Sequence, residues 1–142
     1  MSKEIPVLKG AKADFITIQI GVNDYFQGKD RGTFEQDFIT VIEQVQMTAP
    51  SAKLLIVTIP DYGKTPAGSG TGNPDVIAAG VAEFNAVITK LAAEYTLETA
   101  DVYEISQVST AEQKVAPDGL HPSGEQYTDW LDAIYPAAMR VL

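Results

Sequence analysis

No cysteine occurs in this chain, and histidine and tryptophan occur once each. Without cysteine there is no disulfide framework, no thiolate nucleophile and no thiolate metal site, so the redox state of the compartment leaves no trace. Basic residues are also scarce: 10 Lys and Arg stand against 19 Asp and Glu, a formal net charge of −9. No basic stretch could neutralise a run of phosphates, which argues against nucleic acid and anionic membrane as partners. The N-terminus, MSKEIPVLKGAKAD, is too polar for a signal peptide, and no apolar run approaches the roughly 20 residues that span a bilayer. The chain reads as soluble, with its compartment open.

What is present suffices for one core. With 142 residues, 45% of them hydrophobic, the length favours a single domain. Asp14 to Gly21, DFITIQIG, alternates with period 2 and predicts a strand at Phe15 to Ile20. Thr33 and Gln36 form a candidate capping box for a helix whose stripe is Phe34, Phe38, Val41, Ile42 and Val45, ended by Pro50. Lys53 to Pro60, KLLIVTIP, is apolar almost throughout, as in a strand covered on both faces.

The stretch DYGKTPAGSGTGN, residues 61–73, then predicts an irregular, flexible loop. Asn73 caps a helix with Pro74 at its first position and Ile77, Val81, Phe84, Ile88 and Leu91 on one side. A short strand is expected at Ala100 to Ile105. A last helix starts at Ser123, with Gln126 completing a capping box, and should bury Tyr127, Trp130, Leu131 and Ile134; Pro136 should bend or interrupt it. Alternating strands and helices imply right-handed crossovers, a parallel sheet with helices on both faces, and a site at the carboxyl ends of the strands.

Two polar clusters leave from that edge: GVND after the first strand and PDGLHP before the last helix. In the second, Asp118 precedes the only histidine, His121, by three residues within a Pro/Gly turn. A carboxylate there can take a hydrogen bond from Nδ1 and leave Nε2 as a general base. The same residues also fit a surface histidine capped by a nearby acid. In the first cluster, the Asn23 amide could donate to a developing oxyanion, or it could satisfy local backbone in a turn. Gly21, lacking a Cβ, permits a sharp turn and leaves space beside the site.

Together these blocks resemble the SGNH hydrolases, also called GDSL-type lipases and esterases. IGVNDYF is similar to the block that ends a strand in Gly-x-Asn-Asp, and DGLHPSGEQY to the block Asp-x-x-His followed by a helix. The resemblance implies a flavodoxin-like three-layer α/β/α fold and hydrolysis of a small-molecule acyl ester, with no cofactor. It gives His121 the role of base, Asp118 that of its orienting acid, Asn23 an oxyanion-hole position, Gly21 a site-shaping role and Asp24 a turn-stabilising one.

The Gly-Asp-Ser block that carries the nucleophile in that family is not in this sequence. Ser69, in AGSGTG, is the only serine in a loop that could approach the site, and a flexible loop holds an oxygen poorly for catalysis. The resemblance therefore implies that residues 1–142 are a truncated domain, inactive alone, with roughly 50 to 60 residues of two strand–helix units upstream. The uncovered edge of the first strand would then favour self-association or pairing with that N-terminal segment. A non-catalytic binding remnant of the same fold is the alternative. A metal site from Asp24, Asp118 and His121 has thin support, because catalytic zinc favours several histidines; neither a Gly-x-Gly-x-x-Gly nor a Walker loop occurs.

Overall fold

A computed structural model describes residues 5–111 and 113–142. In chain order the elements are α1 (Ile5–Ala11), β1 (Phe15–Ile18), α2 (Val22–Phe26), α3 (Arg31–Thr48), β2 (Lys53–Val57), α4 (Pro66–Ser69), α5 (Pro74–Glu94), β3 (Glu98–Ala100), α6 (Tyr103–Ala111) and α7 (Gly124–Val141). The strands form a parallel sheet in the order β1-β2-β3. Phe15 is opposite Lys53, and Leu55 opposite Glu98.

Alternation along the strands assigns the two faces. Ile16, Ile18, Leu54 and Ile56 point into one core with Phe34, Phe38 and Ile42 of α3 and Val81, Phe84 and Ile88 of α5. Leu55 and Val57 point the other way, onto Trp130 and Ala137 of α7. These are the three layers that the sequence predicts. Truncating a fully buried aromatic such as Phe34 in such a core costs about 3–5 kcal/mol. The helix α5 is long and apolar enough to cross a membrane by length and composition; here its apolar side packs on the sheet through Ile77, Val81, Phe84, Ile88 and Leu91.

Several local expectations are corrected. β1 ends at Ile18, because beyond it the Gln19 side chain, rather than strand pairing, meets the Thr58 carbonyl at 3.0 Å. The cap of α3 is Asp30, whose carboxylate accepts from Thr33 N–H at 2.9 Å and Thr33 Oγ1 at 2.6 Å. Of the strand expected at Ala100 to Ile105, only Ala100 is in one. β3 stops at Ala100, and Asp101 then accepts from Tyr103 N–H at 3.0 Å, opening α6.

The loop 61–73 contains a helical turn, α4, capped by Thr65, and Asp61, Thr65 and Gly68 are buried. Asn73 caps α5 as expected, accepting from Asp75 N–H at 2.9 Å. Ser123 caps α7, but Gln126 turns instead to Thr110 at 3.2 Å. That helix runs through Pro136 to Val141, and it exposes Tyr127 and Leu131, each 52% accessible, while burying Trp130. On a 3.6-residue helix, Trp130 and Ala137 share the arc the sheet can cover, and Tyr127 and Leu131 lie beyond it.

Candidate active site

Residues 114–123 close on themselves before α7 begins. Val115 pairs with Pro122 in an isolated antiparallel bridge, Ala116 N–H donates to the His121 carbonyl at 2.8 Å, and Gly119 N–H to the Ala116 carbonyl at 2.9 Å. Gly119 has φ +73°, a conformation that favours glycine. Inside this turn Asp118 Oδ1 accepts from Leu120 N–H at 2.9 Å and His121 N–H at 3.0 Å, while Oδ2 lies 2.6 Å from His121 Nδ1. These bonds, led by that from Leu120 N–H, lower the Asp118 carboxyl from 3.8 to about 2. An ionised carboxylate at Nδ1 favours the tautomer protonated at that nitrogen, in which Nε2 carries the lone pair. The imidazole is two-thirds exposed.

The first cluster is built by Gly21. Its φ is +123°, and a Cβ there would sit 2.8 Å from Ile59 Cδ1 and 2.9 Å from the Phe34 ring. Only glycine lets the chain leave β1 this close to the core and start α2 at once. Asn23 therefore stands in the first turn of a short helix rather than at a strand end. It is exposed, and among the described residues nothing hydrogen-bonds its side-chain amide. Asp24 pairs with Lys29 at 2.5 Å, and Lys29 also reaches Asp37 at 2.6 Å.

A cavity of about 650 Å³ opens beside these residues, lined by Gln19, Gly21, Asn23, Asp24, Phe34 and Val41 among others, but not by Asp118 or His121. Asn23, on α2 just beyond β1, and His121, in the turn before α7, both lie past the carboxyl ends of the strands, but the cavity that Asn23 lines does not reach His121. Tyr62, in the loop after β2, lines a crevice of about 70 Å³ with Gln19, Ile20 and Val22. Burial, and more weakly Tyr127, raise its hydroxyl to about 12. Five residues on, Ala67 N–H donates to the Gly119 carbonyl at 2.9 Å.

Four serines are otherwise engaged, and Ser51 stands in the turn before β2, at the opposite end of the strands. Ser69 Oγ donates to the Pro66 carbonyl, Ser106 to the Tyr103 carbonyl, Ser109 to Asp129, and Ser123 caps α7. Ser2 lies outside the described residues. Among the described residues no serine hydroxyl bonds His121, and Asp24 is not gathered with Asp118 and His121 into a metal-ligand cluster. Sequence reasoning passed over Asp61, which is 2% exposed. An acid just after the largely apolar run Lys53–Pro60, as in TIPDYG, was the signal that could have singled it out.

Solved structures share this three-layer fold. The structure of TesA superposes with a TM-score of 0.71 at 20% identity, covering 98% of this chain and 70% of that one. A lipolytic protein of the G-D-S-L family from Veillonella parvula gives 0.70 at 20% identity, covering 96% and 73%. Residues 1–128 match the GDSL-like lipase/acylhydrolase family, and the chain belongs to that family. A multidomain esterase from Ruminococcus flavefaciens is 31% identical over 132 residues, covering 89% of this chain; the chain spans 16% of that relative's length.

Proposed function

We infer that this chain carries the acid–base half of a serine acyl hydrolase. The observation that carries the reading is the 2.6 Å contact of His121 Nδ1 with a carboxylate already held by two backbone N–H groups. With that carboxylate fixed, the ring has one tautomer and one orientation. Nε2 takes the proton of an attacking serine hydroxyl as its oxygen bonds to the ester carbonyl, and later returns the proton to the leaving alkoxide. The Asn23 amide donates to the tetrahedral oxyanion. Gly21 keeps the space beside it open, and Asp24 holds the turn through Lys29.

The nucleophile is supplied from outside these 142 residues, so the chain alone is inactive. Its seat is the outer edge of β1, which has no partner strand among the described residues and adjoins the 650 Å³ cavity. Likeness to a multidomain esterase supports an acyl ester as substrate. A second reading, a binding remnant without turnover, is favoured by one observation: no serine hydroxyl meets His121 among the described residues.

A fluorophosphonate probe separates the two. Joined to a segment bearing a strand that ends in Gly-Asp-Ser, the chain should become labelled at that serine; alone it should not. A joined protein that folds and stays unlabelled favours the binding remnant.

A further inference from the structure

We propose that Asp61 is a positioning residue for the Asp118–His121 pair, its buried carboxylate tying together the two supports between which the turn 114–123 is held. The functional meaning rests on His121 being the base; the structural bridge does not.

Burying a carboxylate is costly unless its oxygens are hydrogen-bonded. At 2% exposure, Asp61 has one support on each oxygen. Oδ1 accepts from Gly63 N–H at 2.7 Å, in its own loop after β2. Oδ2 accepts from Gln107 Nε2 at 2.9 Å, on α6. Its backbone N–H donates to Ser106 Oγ at 2.8 Å, also on α6. Neither donor to the carboxylate is charged, so what these contacts supply is placement.

Each support then leads to the turn. From Gly63 the loop continues to Thr65, whose hydroxyl donates to the Tyr62 carbonyl at 2.8 Å and accepts from Gly68 N–H at 3.0 Å, forming α4. α4 delivers the Ala67 N–H to the Gly119 carbonyl at 2.9 Å, with the Pro66 ring against Gly119. Gly119 is the residue between Asp118 and Leu120, and the Leu120 N–H donates to the Asp118 carboxylate. From Gln107, α6 runs on until the Ser109 carbonyl accepts Lys114 N–H at 2.9 Å, and the next residue, Val115, bridges Pro122. One carboxylate thus fixes the spacing between both flanks of the acid–base turn. An aspartate suits the position because both contacts need an acceptor; an asparagine can replace it only if the Gln107 amide turns over to accept.

The experiment uses NMR on the full chain, where a single histidine makes the imidazole signals unambiguous. Two signals are read: the low-field Nδ1 proton of His121, and hydrogen exchange at the Ala67 amide, with Leu55 in β2 as the reference. Asp61→Ala should broaden or displace the Nδ1 proton and speed Ala67 exchange by about tenfold while Leu55 stays protected, as expected for opening of a local unit. Asp61→Asn should restore both signals through the turned Gln107 amide. Gln107→Ala cuts only the α6 bond, should move both signals in the same direction by less, and replaces Asp61→Ala should that variant not fold.

Folded variants with both signals at their wild-type values overturn the proposal, as does loss of protection spread equally to Leu55, or an Asp61→Asn that matches Asp61→Ala. None of these readouts needs turnover. Hydrolysis that survives loss of His121 would overturn the enzymatic reading and leave them unaffected.

Discussion

His121 Nδ1 lies 2.6 Å from Asp118 Oδ2, and the other oxygen of that carboxylate takes the N–H groups of Leu120 and His121 itself. Imidazole, carboxylate and backbone are therefore one local unit, closed within four residues. Its pH response follows from the Asp118 carboxyl, lowered from 3.8 to about 2. A depressed carboxyl stabilises the fold at pH above its unfolded value and loses that contribution as pH falls through the folded one. A ¹³C titration of Asp118 should have its midpoint near 2, with the turn intact at pH 4 and loosening below 3. A midpoint at 3.8 would show the carboxylate unbonded.

Catalysis should depend on the hydrogen-bond pattern of that unit as well as its shape. In a protein supplied with its serine, Asp118→Asn keeps the volume but presents an amide to Nδ1 and destabilises the working tautomer. kcat should fall by about 10⁴. Stopped assays with a p-nitrophenyl ester read this directly, and a loss under tenfold would remove Asp118 from the mechanism.

Asn23 offers a separable test. Its amide has no protein partner among the described residues, so Asn23→Ala should leave the fold intact. An oxyanion donor acts only in the transition state, so kcat should drop about 10²–10³-fold with KM nearly unchanged. A rise in KM at constant kcat would make Asn23 a ground-state binding residue.

Much of this was legible in the sequence because the signals are local. β2 declared itself by an unbroken apolar run, as a strand covered on both faces must. The Asp118–His121 turn needs only its own proline, glycine and acid. What failed depended on distant partners. α6 was misread as a strand because Asp101, which opens it, is itself bonded by Thr58 of the neighbouring segment at 2.8 Å. Tyr127 and Leu131 are apolar but face outward, since an apolar residue is not thereby a buried one. The order in loop 61–73 comes from Gln107 and Ser106, more than 40 residues away, which no local composition announces.

Backbone space sets the sharpest stability effects. A Cβ at Gly68 would lie 1.8 Å from the Tyr62 carbonyl oxygen, and one at Gly21 would meet Ile59 and Phe34 at φ +123°. Gly21→Ala should cost more than about 2 kcal/mol, and Gly68→Ala should disorder α4. Thermal unfolding followed by circular dichroism checks the first; an unshifted Tm would contradict it. Loss of the Ala67 amide protection checks the second.

Exposed apolar surface should make the chain associate. Tyr127, Leu131, Tyr135 and Met139 are 52%, 52%, 64% and 58% accessible at four-residue spacing along α7, and the outer edge of β1 is unpaired among the described residues. Sedimentation equilibrium should show species above 15.3 kDa whose population grows with concentration. Leu131→Lys with Tyr135→Lys should reduce it. A 15.3 kDa monomer at every concentration would contradict it.

The most direct measurement is ester turnover by the chain joined to a Gly-Asp-Ser segment, compared with the same protein carrying His121→Ala. Turnover of p-nitrophenyl acetate should appear on joining and fall by at least about 10³-fold with the imidazole removed. Turnover that survives His121→Ala would show that the base lies elsewhere.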